Sequence, residues 1–389
     1  MTMFGFSAKE IDAAGAQWTA REILQQPEVW AEVARLIAGQ APGLAEFLDP
    51  LLARPHGRVV LTGAGTSSYI GECLAPALAR MLDRRVDAIP TTDLVASPHS
   101  YLSPATPTLM VSFGRSGNSP ESVAAVRLAD AAIKDCAHLI ITCDAEGALG
   151  QYAAKHAHAR TILMPERSND RSFAMTSSFT GMLLAAAMLL GAVRGGSTRH
   201  LALEQAAARV LPERLPFIKG LVSRGFERVV YLGSKEFKGL AREAALKMLE
   251  LTDGKVVAVA DSPLSFRHGP KTILNAKTLV VVFASNDDYT RQYDWDLVGE
   301  LRRDGVAGRV VTLSARPTDT HHADDIVLGT GDAAELSDLE LCLPYAMFAQ
   351  SIALLRSLSL GIRPDNPNAA GTVSRVVKGV SIHPWRRSA

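Results

Sequence analysis

The sequence predicts an α/β protein made of two tandem, doubly wound parallel-sheet domains related by internal duplication. One observation is that short apolar, β-branched runs alternate with helical stretches along the chain of 389 residues. This alternation is typical of parallel strands in a sheet that helices cover on both faces. The other observation is that the strand-like runs recur in the same order at a nearly constant offset, which indicates a repeated domain.

The repeat is clearest in paired strand-like segments. Residues 58–68, RVVLTGAGTSS, and residues 228–237, RVVYLGSKEF, begin 170 positions apart, and helical stretches follow both at 71–82 and 240–251. The other pairs keep the same order: 108–117 with 278–287, 138–144 with 309–315 and, more weakly, 156–164 with 322–329. Ligands of doubly wound folds bind where strands end, so the loops after these strands are candidate binding loops.

The pattern divides the chain into four segments. We predict an N-terminal helical segment at 1–50, with a helix over 19–37 that Pro27 interrupts. A first domain at 51–205 carries the phosphate-binding loops, a second at 206–362 carries an acid–base helix, and a tail at 363–389 lies near the active site. The apolar stretch 181–194 is predicted to be a buried helix, since a membrane span needs about 20 apolar residues.

Composition narrows the class of partner. The chain has 41 Lys+Arg against 40 Asp+Glu and a formal net charge of +1, so it lacks the field that concentrates nucleic acid or an anionic membrane. Its four cysteines form no C-x-x-C pair and no metal-ligand spacing with the histidines, which fits a reducing compartment. The N-terminus lacks a signal-peptide pattern. We expect a cytoplasmic protein that binds neither nucleic acid nor membrane.

Two hydroxyl-rich loops indicate a phosphate site. The first, GAGTSS at 63–68, places Thr66 and Ser67 at a helix start, where backbone N–H groups favour anions. The second, SFGRSGNSPES at 112–122, adds Arg115, Ser116 and Ser119, a donor set that suits a phosphate monoester. Either loop alone could be a plain turn with an N-cap serine. A dinucleotide site is disfavoured because position 68, where G-x-G-x-x-G needs glycine, is serine.

A second constellation lies in the later copy. Glu243, Lys247 and Glu250 stand at i, i+4 and i+7, on one face of a predicted helix that follows a strand end. The triplet is either a solvated salt-bridge stripe or a carboxylate held beside an amine, which is equipment for moving a proton next to a carbonyl. His268 precedes Gly-Pro at 269–270, in a loop where a histidine can serve packing or chemistry.

Together these motifs resemble the sugar isomerase (SIS) family over essentially the whole chain from Thr19. GTS at 65–67 and RSGNS at 115–119 are similar to the family's phosphate loops, EAALKMLE at 243–250 to its acid–base helix, and RHGP at 267–270 to its histidine loop. The phrases SND at 168–170 and FAMTSSFT at 173–180 look most like the branch called tagatose-6-phosphate ketose/aldose isomerase, also described as galactosamine-6-phosphate deaminase.

The resemblance implies a role for each of these residues. Thr66, Ser67, Ser116 and Ser119 would hold the sugar phosphate. The base that shuttles a proton between C1 and C2 would be Glu250. Glu243 and Lys247 would orient the substrate and tune Glu250. His268 would open the sugar ring, in the family from the neighbouring subunit of a homodimer. Two departures from the family stand out: Gly114 replaces a phosphate-loop serine, for which Ser112 or Arg115 would compensate, and only Lys378 lies near the position of the family's C-terminal lysine.

The expected activity is deamination coupled to isomerisation. A glutamine-hydrolysing relative needs an N-terminal cysteine, whereas this chain begins Met1-Thr2-Met3, so we expect ammonia to be released rather than supplied. The best candidate reaction converts galactosamine 6-phosphate to tagatose 6-phosphate and ammonium. A plain ketose/aldose isomerase and a glucosamine-6-phosphate deaminase remain alternatives. A sugar-phosphate sensor is less favoured because the acid–base residues are kept. No cofactor or metal is expected, and His156 and His158 are assigned to the surface.

Overall fold

The computed structural model describes residues 2–193, 197–211, 213–318, 322–329, 331–377 and 379–386. Its strands are β1 Thr2–Met3, β2 Phe6–Ser7, β3 Arg58–Thr62, β4 Val86–Ala88, β5 Thr108–Gly114, β6 Cys136–Thr142, β7 Ala159–Leu163, β8 Arg228–Gly233, β9 Val257–Asp261, β10 Thr278–Phe283, β11 Arg309–Ser314 and β12 Asp325–Val327. Its first helices are α1 Ala8–Ala13, α2 Gln17–Leu24, α3 Gln26–Leu52, α4 Thr66–Leu82, α5 Thr91–Ala96, α6 Pro98–Tyr101, α7 Pro120–Ala132 and α8 Ala148–Ala153. The later ones are α9 Ser177–Leu189, α10 Ser197–Val210, α11 Leu215–Ser223, α12 Glu236–Leu251, α13 Pro263–Phe266, α14 Asp288–Asp304 and α15 Asp338–Ser359.

Two five-stranded parallel sheets share one topology. The first has the order β4-β3-β5-β6-β7, and the second, read in the same direction, β9-β8-β10-β11-β12. Every pairing in both sheets is parallel. Numbered within each copy, the strands run 2-1-3-4-5 in both, an order of doubly wound domains. The predicted fold class is therefore confirmed, and the shared order supports the duplication.

The chain forms two compact units that are discontinuous in sequence. The first-copy unit comprises Val29–Asp170, Ser177–Arg194 and Ala370–Ala389, and the second-copy unit comprises Met1–Glu28, Arg171–Thr176 and Gly195–Ala369. This division differs from the contiguous segments drawn from the sequence.

The N-terminal helices belong to the second-copy unit for a local reason. The Asp365 carboxylate accepts hydrogen bonds from the backbone of Trp18 at 3.1 Å and from Thr19, at 2.8 Å for the backbone N and 2.7 Å for the hydroxyl. A carboxylate at the first residues of α2 satisfies amides that a helix N-terminus leaves without intrahelical partners. Helix α2 also packs against α15.

In the first-copy unit, helices cover both faces of the sheet. Helices α4 and α9 pack together, and α9 is buried along almost its whole length, as predicted for this apolar stretch. On the other face, Val60 and Met110 pack with α5 and α7 residues such as Leu94 and Ala125. Because alternate residues of a strand point to opposite faces, strands buried on both sides read as continuous apolar runs.

In the second-copy unit, the two faces carry different layers. Phe237 of α12 packs with Phe283 of the sheet and Tyr345 of α15, and Phe283 stacks on Tyr231. On the opposite face, Phe266 of α13 packs with Val230, Leu232 and α14. Helix α15 is long and apolar enough to cross a membrane, but 89% of its most apolar window is buried inside the structure. It is therefore a core helix.

Equivalent glycines start the loop between strand and helix in both copies. A Cβ on Gly63 would lie 2.6 Å from the Cβ of Ser67, and a Cβ on Gly233 would lie 2.5 Å from that of Phe237. Real Cβ atoms do not approach so closely, so each loop requires glycine where it turns back over the first helical turn. This close approach fixes the path of the candidate phosphate loop.

We expect Gly63→Ala to lower the free energy of unfolding by about 1–3 kcal/mol, because the new methyl group displaces the loop or the first turn of α4. Denaturant unfolding measures the change. Gly39→Ala is the matched control: Gly39 is helical and has nothing near its Cβ position, so this variant should be neutral or slightly stabilised. Equal effects of the two substitutions would contradict the close-approach argument.

Candidate active site

The strand order places the candidate loops at the switch point of each sheet. In the first copy, connections run to opposite sides from β3 and β5, the neighbouring strands where the order reverses. Ligands of open α/β sheets bind in the crevice at the carboxyl ends of such strands. The loops after β3 and β5 are the two hydroxyl-rich loops predicted from the sequence, so the fold brings them side by side.

The first loop turns directly into helix α4. Gly65 has φ of 56°, in the left-handed region, and Thr66 and Ser67 begin the helix as buried residues. The amides of Ser67 and Ser68 bond back to the carbonyls of Ala64 and Gly65, at 3.1 and 2.9 Å. The loop is thus a tight, pre-formed turn at a helix N-terminus, whose partial positive charge favours an anion.

The second loop is held in place by the neighbouring strand and helix. The amide of Cys143 donates to the Arg115 carbonyl at 3.2 Å, and the amide of Leu149 donates to the Gly117 carbonyl at 3.0 Å. Asn118 accepts a hydrogen bond from the amide of Ala148 at 2.9 Å. These bonds fix the loop backbone, so its side chains are presented from a rigid support.

The two serines of this loop have different settings. Ser119 is the N-cap of α7, and its hydroxyl accepts from the Ser122 amide at 3.3 Å and donates to the Ser122 hydroxyl at 2.6 Å. Within the part of the chain that the structure describes, the hydroxyl of the half-buried Ser116 accepts a 3.3 Å bond from the amide of Asn118. Ser116 therefore keeps its O–H free of this loop bond for a ligand, whereas capping occupies Ser119.

Arg115 is anchored to the tail of the chain. Its guanidinium donates to the carbonyl of Arg375 at 3.1 Å, and the residue is 6% exposed. The guanidinium of Arg375 in turn donates to the carbonyl of Asp170. Further along the tail, the indole N–H of Trp385 donates to His99 at 3.1 Å. The tail thus lies across the first-copy unit and fixes a loop arginine. Lys378, noted from the sequence, falls outside the described residues.

The motif around Asp170 has a structural role. Its buried carboxylate accepts from the amides of Ser177 and Ser178, at 3.0 and 2.9 Å, and from the Ser178 hydroxyl at 2.5 Å. These residues open α9, so Asp170 satisfies the amides that a helix start leaves without intrahelical partners. The segments SND at 168–170 and FAMTSSFT at 173–180, on which the resemblance to this branch rests, therefore contain a helix-capping residue and the start of the helix that it caps.

Three hydroxyls behind the loops lack hydrogen-bond partners within the described part of the chain. They belong to Thr62, Thr91 and Ser112, all at most 2% exposed. Thr62 and Ser112 are register neighbours at the ends of β3 and β5, and the Thr91 amide donates to the carbonyl of Gly63. Buried hydroxyls are normally satisfied, so a water or a ligand group is expected here. Sequence reasoning singled out Ser112 but missed both threonines.

In the second copy, the three residues of the acid–base helix form one buried ionic cluster. The side chains of Glu243 and Lys247 are 2% and 1% exposed, whereas that of Glu250 is 24% exposed. The Lys247 ammonium lies 3.6 Å from Glu243 and donates a hydrogen bond to Glu250. The alternative of a solvated stripe is therefore wrong, since two of the three groups are out of water.

In the second copy, side-chain carboxylates accept the hydrogen bonds of the loops that follow the strands. Lys235 stands where the first copy has Gly65 and shares its backbone conformation, with φ of 52°. Asp338 at the start of α15 accepts from the Lys235 ammonium at 3.1 Å, the Ser285 hydroxyl at 2.6 Å and the Asn286 amide at 2.6 Å. A side-chain carboxylate thus takes donors in the second copy's loops that a phosphate would otherwise need.

A second carboxylate accepts further hydrogen bonds from these loops. Asp294 is fully buried and accepts from the Ser234 hydroxyl and the Ser285 amide, both at 2.8 Å. Burial raises the pKa of its carboxyl to about 6, although these two hydrogen bonds oppose the shift.

His268 follows α13 and belongs to the layer on one face of the second-copy sheet, whereas α12, which carries Glu243, Lys247 and Glu250, packs on the other face. His268 is exposed, and its loop is tied to α14 because Arg267 and Lys271 both pair with Glu300. Phe266, two residues earlier, packs on the Val230 face of the sheet, whereas α12 packs on the Tyr231 face. Gly269, at φ of 120°, allows the turn that follows. The structure therefore brings Glu243, Lys247 and Glu250 together without His268.

The SIS domain family matches residues 51–192. The D-galactosamine-6-phosphate deaminase AgaS of Escherichia coli is 46% identical over 375 residues, which cover 96% of this chain and 97% of the relative. The chain belongs to the SIS family. A second relative is the D-galactosamine-6-phosphate deaminase AgaS of Shewanella sp. (strain ANA-3), which is 43% identical. The alignment covers 97% of this SIS chain and 95% of that relative.

A solved structure agrees with these relatives. The crystal structure of tagatose-6-phosphate ketose/aldose isomerase from Escherichia coli superposes on this SIS protein with a TM-score of 0.88 and 44% identity. The match covers 95% of this chain and 97% of the other. The family predicted from the four sequence motifs is therefore confirmed.

The buried Asp294 of this SIS protein predicts a pH-dependent stability. Its pKa is about 6 when folded, against 3.8 for an ordinary aspartate, so the folded state binds more protons between these values. Stability from the neutral carboxyl is full below about pH 4 and is lost as pH rises through 6, by on the order of 2–3 kcal/mol. Relative to wild type, Asp294→Asn should gain stability as pH rises from 4 to 7 in denaturant titrations.

The control for this prediction is Asp296→Asn, at an exposed position on the same helix. Its stability should follow wild type in parallel across the pH range. Asp294→Asn also weakens a hydrogen bond, which offsets its whole curve, so the slope is the informative quantity. Parallel curves for Asp294→Asn and wild type would show that the carboxyl titrates alike in the folded and unfolded states.

Proposed function

We propose that this protein is a deaminating ketose/aldose isomerase that converts galactosamine 6-phosphate and water to tagatose 6-phosphate and ammonium. The observation that carries the proposal is the buried cluster on α12, in which only the Glu250 carboxylate is partly exposed. The choice of substrate is supported by relatives named D-galactosamine-6-phosphate deaminase at 43–46% identity over nearly the full chain.

The first copy is assigned the phosphate. The amino end of α4 supplies Thr66 and Ser67, and the second loop supplies Arg115, Ser116 and Ser119. A helix N-terminus together with hydroxyl donors and one guanidinium suits a phosphate monoester. Because Arg115 is held by the tail and Ser119 caps α7, we assign direct phosphate contact chiefly to Thr66, Ser67 and Ser116, and orientation of the loop to the other two.

The second copy is assigned the proton transfer. In the open-chain amino aldose, Glu250 removes the proton from C2 while O1 takes a proton from solvent, which gives an enolamine. Glu250 then returns its proton to C1, and the nitrogen gives one proton up to solvent. The product is a C1 alcohol with an imine at C2. Water adds to the imine carbon, and the nitrogen leaves as ammonium, so the ketose forms without oxidant or reductant. Lys247 holds Glu250 through a hydrogen bond and Glu243 balances the buried ammonium.

His268 is assigned ring opening in a neighbouring subunit. Within its own unit it belongs to the layer on the far face of the sheet from α12, and it is exposed on a loop anchored to α14. An imidazole so placed is available to another copy of the chain. This assignment requires at least a homodimer, in the cytoplasm where sugar phosphates are found.

A plain ketose/aldose isomerase is the second candidate function. It is favoured by the similar solved structure, whose name is tagatose-6-phosphate ketose/aldose isomerase. The two functions share the proton transfer between C1 and C2 and differ in whether the substrate carries nitrogen. Purified protein supplied with galactosamine 6-phosphate or with galactose 6-phosphate separates them, because only the first substrate can release ammonium.

We expect Glu250→Gln to lower kcat for ammonium release by about 10²–10⁴ with a smaller change in KM, because the amide cannot accept the C2 proton. A coupled ammonium assay on galactosamine 6-phosphate measures both constants. Glu227→Gln is the control, since this glutamate is exposed and pairs only with Lys277 among the described ion pairs; it should retain wild-type kinetics. Unchanged kcat in Glu250→Gln would exclude the proposed base.

The subunit assignment of His268 is tested with mixed oligomers. Chains carrying His268→Ala and chains carrying Glu250→Gln are each expected to be impaired alone. Co-expressed with different tags and purified as mixed oligomers, they should regain partial ammonium release, because one site then combines an intact glutamate with a partner's intact histidine. If both residues served the same chain's site, the mixed oligomer would be as inactive as its parents.

A further inference from the structure

A cluster of metal-ligand side chains lies at the amino edge of the first-copy sheet. Cys136 and His138 point to the same face at the start of β6, because they are two residues apart in a strand. His158 stands next to them, since the amide of His138 donates to its carbonyl at 3.0 Å. Asp130 comes from the last turn of α7 above that face. The candidate phosphate loops lie at the opposite, carboxyl edge.

The ligand atoms of Asp130, Cys136 and His138 all lie within 4.8 Å of one another, and His158 adjoins this group through Asp130. The Nε2 atom of His138 lies 2.8 Å from Oδ1 of Asp130 and 3.5 Å from Sγ of Cys136. The Nε2 atom of His158 lies 3.2 Å from the same Oδ1. Tetrahedral ligands with bonds of about 2.0–2.3 Å are separated by roughly 3.3–3.7 Å. The Cys136–His138 and Asp130–His158 separations are near these values, and the Asp130–His138 separation is shorter. Asp130, Cys136 and His138 can therefore converge on one cation, and the exposed His158 ring would turn towards it as the fourth ligand.

We propose that Asp130, Cys136, His138 and His158 form a structural site for a borderline-soft divalent cation, specifically zinc. One carboxylate oxygen, one thiolate and two imidazole nitrogens make a four-ligand set of the kind zinc takes in proteins. Four protein ligands leave no open coordination position, which is typical of a structural rather than a catalytic site. The sequence conceals the site because its ligands come from a helix, a strand and the loop before the next strand.

The surroundings hold the ligands in place. The Tyr152 hydroxyl donates to the second oxygen of Asp130, which leaves Oδ1 directed at the two histidines. His156 stacks on Tyr152 at 3.9 Å between ring centroids and bonds its carbonyl at 2.8 Å. Outer contacts that orient metal ligands in this way are typical of metal sites.

Cation binding requires one proton to leave. Zinc binds cysteine as the thiolate, so the proton in question is that of the Cys136 thiol. Zinc would replace that proton, which passes to solvent, as metal binding to cysteine generally releases protons. Access is open, because a groove of about 440 Å³ is lined by Cys136, His158, Asp135 and Arg54 among others.

The site would tie together three elements of the first-copy unit. It would join the carboxyl end of α7 to the starts of β6 and β7, all at the edge away from the loops. A ligand that binds only the folded state adds stability, so zinc should raise the midpoint of thermal unfolding without changing KM for the sugar phosphate. This readout does not depend on the proposed activity.

The test begins with protein freed of metal by chelation and dialysis. Titration with Co²⁺, which replaces zinc in such sites, should give one equivalent bound and a thiolate-to-cobalt absorption band, and zinc should abolish the band by displacement. Zinc should also raise Tm by a few degrees. Absence of a stoichiometric site, or of the thiolate band, would overturn the proposal.

Matched variants exclude adventitious binding. Cys136→Ser should lose the thiolate band, and Cys143→Ala, at the other end of the same strand, should keep it. His158→Ala should weaken zinc binding at least tenfold, because its Nε2 atom lies beside Asp130, whereas His200→Ala, whose imidazole pairs with Glu204 in the second-copy unit, should bind as wild type. His158 is 42% exposed on its side chain, so its variant should fold. Equal zinc affinity in both histidine variants would contradict the site.

Discussion

The buried ammonium of Lys247 is the constraint on which the ionic cluster of α12, and the proton transfer proposed for it, depend. A charge that is 1% exposed is tolerated only when opposite charges replace its water, and Glu243 and Glu250 on the same helix do so. The i, i+3 and i+4 spacing fixes this geometry through the helix alone. Glu250 is held at the edge of the cluster, where a carboxylate can meet a substrate, and removal of either partner would leave an uncompensated charge.

The two copies share a fold but differ in what the loops at their strand ends present. Gly65 and Lys235 share a left-handed backbone at the start of equivalent helices, so the turn itself was kept. In the first copy the loops present hydroxyls and a helix N-terminus. In the second, Asp338 takes the donors of the corresponding loops, and the residues proposed for proton transfer lie further along the helix. The carboxylate therefore substitutes within the protein for the anion that the first copy is proposed to bind.

The fold and most candidate residues could be predicted from the sequence, because both depend on local sequence patterns. Apolar strand runs, the constant offset and the E-x-x-x-K spacing each survive in the structure. The short strand β4 was missed because it has only three residues and no apolar run, and β9 was missed although it is largely apolar, since it is short and its residues are only partly buried. Thr62, Thr91 and the donors to Asp338 depend on long-range packing, which no local pattern reports. The layer that carries His268 likewise follows from the tertiary fold and not from its motif.

The most direct test of the account is the fate of the C2 hydrogen. Galactosamine 6-phosphate deuterated at C2 is converted by the enzyme, and the product is analysed by NMR. If Glu250 moves the proton, the product is a ketose in which C2 is a carbonyl, and the deuterium appears at C1 or is exchanged into water. A product that keeps deuterium on C2 would mean that nitrogen is displaced without enolisation, which would contradict the proposed role of the α12 cluster.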